Sequence, residues 1–197
     1  MVTFSVPHRS SLHALSFRVR PQSVAFAGSR NGSVSRTCAS ALVEGFYHLG
    51  FGFLTGCAPG IDRCFRSAFV SNKDAAVRSI VACAFEDRAR RFAVGEVFAS
   101  TVVPPGLSLA AALHRRTVWV VRHASLLVLF PDNQDTGMWG RGSRLAFNTA
   151  RHNLKPVFLV TSSPPKPMVG ESVCPSNLFG VADGYWVVPA GGTDEEE

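Results

Sequence analysis

With 197 residues, 46% of them hydrophobic and 17% charged, the chain is long enough to bury one core and too apolar to be disordered. No apolar run approaches the roughly 18 residues needed to cross a bilayer, so neither a membrane span nor a membrane partner is expected. The formal charge of +6 and an isoelectric point near 9.5 permit a polyanionic partner without specifying it.

Residues 1–22 carry Arg9, Arg18 and Arg20, precede the first acidic residue Glu44, and lack the apolar stretch of a secretory signal. The composition overlaps with organelle transit peptides, but the plainer reading is a basic N-terminal extension beside the domain. Residues 23–27 form a buried strand between Pro21 and Gly28. A helix follows, with Ser33 as its N-cap, Val34, Cys38, Leu42, Phe46 and Leu49 along one face, and Gly50 as its stop. Residues 51–55 make a second strand, residues 56–60 a turn, and residues 61–70 a helix burying Ile61, Cys64, Phe65 and Ala68. A third strand spans residues 78–85.

The charged first half of residues 86–108 reads as helical, and residues 97–103 as extended before the breaker Pro104-Pro105-Gly106. A helix over residues 107–123 fits the pattern, although Trp119, Val120 and Val121 suit a strand equally. Residues 125–130 are the clearest strand. A glycine-rich loop, a helix over residues 143–153 and a strand over residues 156–160 follow. Beyond Thr161 a Pro-rich C-terminal extension is expected to wrap the surface, with one late strand near residues 185–188. It ends in a solvated acidic tail, Asp194-Glu195-Glu196-Glu197.

Short, wholly apolar strands separated by helices predict a single α/β domain over residues 23–160: a Rossmann-like three-layer fold with a mostly parallel central sheet. Right-handed crossovers place every strand-to-helix loop at one sheet edge, where such folds bind ligands. Five cysteines, with no Cys-x-x-Cys pair and no His cluster, fit neither a disulfide framework nor a zinc site. They read as buried thiols in a reducing cytoplasm. No metal and no cofactor is called for.

Three loops at that edge carry the candidate chemistry. In the first, Gly28, Ser29 and Arg30 enter a helix, so free amides, a hydroxyl and a guanidinium can meet a phosphate. In the second, Gly56 and Gly60 repeat the geometry one strand over. Asp62 falls in the first helical turn, suited to a ribose, a base or the neighbouring loop. The third, residues 131–144, contains Gly137, Gly140, Gly142 and Ser143, flanked by Arg141 and Arg144, with Arg151 and Lys155 further on; Trp139 is a candidate to stack on a base. Arg115 and Arg116, with Arg122 and His123, add positive charge. Taken alone, the first loop reads equally as a tight turn with a solvated arginine, Asp62 equally as a structural cap, Trp139 more readily as a loop-covering aromatic, and the Arg115-Arg116 pair as a solvated face.

Together, Val24-Ala25-Phe26-Ala27-Gly28-Ser29-Arg30, Thr55-Gly56-Cys57-Ala58-Pro59-Gly60-Ile61-Asp62, Leu113-His114-Arg115-Arg116-Thr117 and Gly142-Ser143 with Ala146 and Ala150 resemble the DNA-processing protein A (Smf) domain. More broadly they resemble the SLOG superfamily, which joins that domain to the LOG-type nucleotide phosphoribohydrolases. The second of these segments is the specific one. The resemblance implies a Rossmann-like domain whose glycine loops bind a nucleotide, a nucleotide-derived ligand or single-stranded DNA, in DNA processing or nucleotide sensing. It places Gly28, Ser29, Arg30, Gly56, Gly60, Asp62, Arg115, Arg116, Gly142 and Ser143 around the pocket. The hydrolases' Pro-Gly-Gly-x-Gly-Thr-x-x-Glu signature is missing, since residues 131–137 read Pro-Asp-Asn-Gln-Asp-Thr-Gly.

A non-catalytic binding module is therefore the leading expectation. The alternative, a nucleotide N-glycosidase of the phosphoribohydrolase type, requires a carboxylate among Asp62, Glu96, Asp132 and Asp135. A scaffold or assembly protein with a vestigial pocket is the third reading, and self-association into a homo-oligomer is left open. Arg88, Arg90 and Arg91 with Phe85 and Phe92 offer the basic and aromatic surface that a nucleic-acid strand needs, or else an amphipathic helix face.

Overall fold

The computed structural model describes residues 22–132 and 139–190; the N-terminal extension and the acidic tail lie outside them. In chain order the elements are β1 (Ser23–Gly28), α1 (Arg36–His48), β2 (Gly52–Gly56), α2 (Ile61–Ser71), the single turn α3 (Lys73–Ala76), β3 (Ser79–Cys83) and α4 (Glu86–Phe92). There follow β4 (Phe98–Thr101), α5 (Leu109–His123), β5 (Leu126–Phe130), α6 (Arg141–His152), β6 (Val157–Leu159), β7 (Glu171–Leu178) and β8 (Ala182–Pro189). The sheet order is β4-β3-β2-β1-β5-β6-β8-β7. Its first six strands are parallel and the last two antiparallel. The α/β, Rossmann-like, mostly parallel fold is as read from the sequence.

The strands are apolar on both faces because both are covered. Successive side chains alternate: Val24 and Phe26 of β1 join Phe53 and Val128 on the α1–α2 side, whereas Ala25 joins Leu54, Leu127 and Leu129 on the α5–α6 side. Phe26 stacks on Phe65 of α2 with ring centres 3.9 Å apart, and Phe46, Phe53 and Phe69 surround the pair.

Ser35, not Ser33, caps α1, its Oγ accepting from the Cys38 amide at 3.1 Å. The helix ends in a Schellman arrangement: Gly50 at φ 83° donates to Tyr47 O, Phe51 donates to Phe46 O, and the Phe46 and Phe51 rings meet at 5.4 Å. Leu49, expected on the buried face, is 59% exposed because it is the cap residue. Trp119, Val120 and Val121 are helical.

The largest departure lies beyond Thr161. Instead of one late strand, residues 171–189 form a hairpin that extends the sheet past β6. β7 contains Pro175 and mostly polar residues, so its pattern is that of a loop; as the edge strand it tolerates both. The hairpin is fixed at two places. Phe179 at its turn meets Phe46 edge-on at 5.0 Å. Arg151 of α6 forks onto Glu171, Nε donating to Oε1 at 2.6 Å and Nη2 to Oε2, while the Met168 amide donates to Oε2 at 2.8 Å.

The Arg151 hydrogen bonds hold the Glu171 carboxyl below the usual carboxylate range, against the opposing effect of burial. A depressed folded-state pKa stabilises above the unfolded value and is lost as pH falls through the folded one. Glu171→Gln is therefore expected to cost about 1–3 kcal/mol near neutral pH. The gap to the parent should begin to narrow below about pH 4, where the unfolded carboxyl protonates, and close as pH falls through the lower folded-state value. Urea unfolding of both proteins at the two pH values checks this; an undiminished gap at low pH would contradict it.

Candidate phosphate-binding cleft

Strand order reverses between β1 and β5. β1 leads to α1 on one face of the sheet and β5 to α6 on the other, so their exit loops diverge. A cleft of about 940 Å³ opens there, walled by residues 28–31, by Leu109, Leu113, Arg116 and Thr117 on α5, by Asp132, and by the start of α6. This is within the usual range for a small-molecule site.

The first loop is held by its own serine. Ser29 Oγ accepts from the Asn31 and Gly32 amides at 3.1 and 3.2 Å, and the Ser29 amide donates to Phe130 O at 2.9 Å. Those three amides are thus engaged within the protein. What the loop presents to the cleft is the exposed Arg30 side chain and the remaining donor hydrogen of Ser29.

The glycines of the first two loops allow close packing. A Cβ on Gly28 would fall 2.2 Å from Phe130 O, and one on Gly60, at φ 70°, 2.3 Å from Ser29 O. Gly60 is where the second loop lies against the first, joined by Ile61 N–H to Ser29 O at 3.1 Å; it faces away from the cleft. Gly56 makes room for an ion pair, since a Cβ there would lie 1.6 Å from Arg116 Nη1.

That ion pair is the floor of the cleft. Arg116 Nη1 donates to Asp62 Oδ2 at 3.0 Å, and the same oxygen accepts the Ala58 amide at 3.1 Å. Both residues are buried and both line the cleft. Arg116 Nε has no hydrogen-bond partner among the described residues. Arg115, expected beside it, is exposed and outside the cleft, because consecutive helical residues project about 100° apart. Arg122 and His123 end α5 at the opposite sheet edge, where His123 O accepts from Ser23 Oγ at 3.0 Å.

Below the floor, Cys57 and Cys83 continue the β2–β3 register. The neighbouring Cys83 draws the Cys57 thiol below its usual range, assisted by the charge of Arg116 and opposed by burial. Cys83 is pushed up by that neighbour and by its burial.

The third wall is the beginning of α6. Its N-cap, Gly140, has no side-chain capping bond; the Gly140 amide donates to Asp132 Oδ1 at 2.8 Å. Gly142 has nothing within 4 Å of the Cβ it lacks, Ser143 is buried, and Arg141 and Arg144 are exposed at the rim. The first-turn amides thus have no partner among the described residues, and the helix's positive dipole end lies at the cleft. Arg151 and Lys155 serve elsewhere, on Glu171 and on the carbonyls of Arg122 and Ala124. Trp139 is packed edge-on against Phe147 at 5.1 Å rather than free as a base platform. Gly137 lies outside the described residues.

Of the carboxylates weighed for catalysis, Asp62 is ion-paired, Asp132 lines the cleft while holding Gly140, Glu96 lies outside it, and Asp135 is outside the described residues. The apolar wall of α5 was not singled out in the sequence. Its signal is Leu109, Leu113, Arg116 and Thr117 at spacing i, i+4, i+7, i+8, one helix face.

No protein-family profile and no curated protein matches the chain. Solved structures do. DNA processing protein A from Helicobacter pylori, described for its single-stranded DNA binding mode, aligns at a TM-score of 0.55 and 15% identity over 75% of this chain and 69% of that one. The Streptococcus pneumoniae protein aligns at 0.53 and 17% identity over 74% of this chain, which spans about half of it, 52%. The chain has the Rossmann-like fold of DNA processing protein A.

Proposed function

We propose that the cleft between β1 and β5 binds phosphates of single-stranded DNA, one nucleotide unit being seated at the strand-order reversal. The observation that carries this is the charge balance of the lining. Arg30, Arg116, Arg141 and Arg144 face two carboxylates, and both carboxylates already accept protein hydrogen bonds. A phosphate at the mouth of α6 meets amides of its first turn, the helix dipole and the rim arginines. Leu109 and Leu113 give a base or sugar an apolar wall. The fold shared with a single-stranded DNA binder supports the choice of ligand; a free nucleotide or nucleotide-derived signal is the smaller ligand of the same chemistry.

Binding of a fluorescent oligothymidylate, followed by anisotropy against salt, tests this. Affinity should fall with salt at a log–log slope of about −0.7 per phosphate neutralised. Gly142→Asp fits sterically, as its surroundings are open, yet puts a carboxylate at the helix mouth. It is expected to weaken binding at least tenfold (~1.4 kcal/mol) with no loss of melting temperature, since a carboxylate in the first turn favours the helix. Salt-independent binding, or full affinity in the variant, would overturn the proposal.

A further inference from the structure

We infer that a second groove, behind the loops that wall the cleft, continues the path of a single-stranded nucleic acid; this rests on the reading of the cleft given above. The groove, about 1340 Å³, lies between the start of α1, α2 and α4. Arg63 and Arg66 stand three residues apart on α2, and Arg88 and Arg91 three apart on α4, so each pair shares a helix face, and both pairs line the groove. Arg36 adds a fifth guanidinium. Asp87 is the single carboxylate in the lining, and the nearby Glu86 is taken by Arg90 at 2.9 Å.

The arginines differ in their commitments. Arg66 Nη1 donates to Gly56 O at 2.8 Å and Ala58 O at 2.9 Å, and its guanidinium lies 4.2 Å from the Phe92 ring centre. It is built into the floor. Arg88 approaches Cys57 Sγ at 3.9 Å, and Arg36 reaches Ser71 Oγ at 3.4 Å. Arg63 and Arg91 are exposed with no carboxylate partner among the described residues. Such a cluster repels itself until an anion is laid along it.

Size and continuity identify the anion. The groove exceeds the roughly 300–1,000 Å³ of a nucleotide-sized pocket, and five guanidiniums exceed what one phosphate engages. Cleft and groove are separated by a ridge one loop thick: residues 28–31 and Ala58 face the cleft, while Gly32, Ser33, Cys57, Pro59 and Gly60 face the groove. A polyphosphate chain leaving Arg30 crosses that ridge to Arg63 and Arg36. Phe92, half-buried beside Arg66, gives a base an aromatic edge.

The test uses the full chain carrying Arg63→Glu with Arg91→Glu, both exposed, and two oligothymidylates. One has about four nucleotides, enough for a single site, and the other about 20. The longer strand should bind about tenfold more weakly to the double variant, with a salt slope shallower by about 1.4, the share of two phosphates. The shorter strand should bind as to the parent. Equal losses for both lengths, or none for the longer, would overturn the inference. So would polyglutamate displacing neither strand yet binding the parent and not the variant, which would mark an acidic-peptide surface. Gly142→Asp in parallel separates the two claims: full binding of the short strand by that variant removes the cleft, whereas a length-selective loss in the double variant speaks only to the groove.

Discussion

Arg116→Met is expected to abolish detectable oligonucleotide binding and to lower stability by about 3–5 kcal/mol, because it strips a buried carboxylate of its counter-charge. Asp62 is only 4% exposed at the floor of the cleft, and of its two hydrogen bonds it would keep only that from the Ala58 amide. The methionine stem fills much of the same volume, so the cost is electrostatic rather than a cavity. Adding Asp62→Leu should recover most of the stability, since an apolar pair of similar size does about as well as a buried ion pair. Recovery stays incomplete by about 1–3 kcal/mol, the cost of leaving the Ala58 amide unpaired. Binding should not return, because the cleft floor has lost its guanidinium. Urea unfolding and anisotropy on the single and double variants check both halves. Restored stability with restored binding would show that Arg116 acts on the fold alone.

Gly60→Ala is the second large effect, expected at about 2–5 kcal/mol. Its φ of 70° and ψ of −131° belong to a region open to glycine and strained for any other residue, by about 1–3 kcal/mol. The added methyl would also lie 2.3–2.5 Å from the backbone of Ser29 and Arg30, which cannot turn aside as a side chain does. Relief requires the first loop to move, so ligand affinity should fall along with the melting temperature. Gly142→Ala is the control. With nothing near its Cβ, it should leave stability within about 0.5 kcal/mol of the parent or improve it. Equal effects at the two glycines would mean that the loops are not packed as described.

The fold was legible where local pattern and final environment agree. The strands around residues 23–27, 51–55 and 125–130 are apolar because both faces are buried, and helix stops such as Gly50 carry their own chemistry. β7 was not legible: Pro175 and its polar neighbours are tolerated only because β8 supplies the pairing. In the site, loop positions followed from topology, so Gly28, Ser29, Arg30, Asp62, Arg116, Gly140, Gly142 and Ser143 do meet in one cleft. Their division of labour did not follow. Whether a glycine faces a ligand or a neighbouring carbonyl depends on loop-against-loop packing between residues some 30 positions apart. That Arg116 rather than Arg115 turns inward depends on the rotation of α5, and the burial of Trp139 on the seat of Phe147.

Amide chemical-shift mapping during titration with a short oligothymidylate tests the cleft most directly. The largest shifts should fall at Ser29 and Arg30 and at Arg141, Gly142 and Ser143, two segments far apart in sequence that adjoin only at the strand-order reversal. Shifts centred on the β7–β8 hairpin or the far end of α5, or none at saturating ligand, would contradict the account.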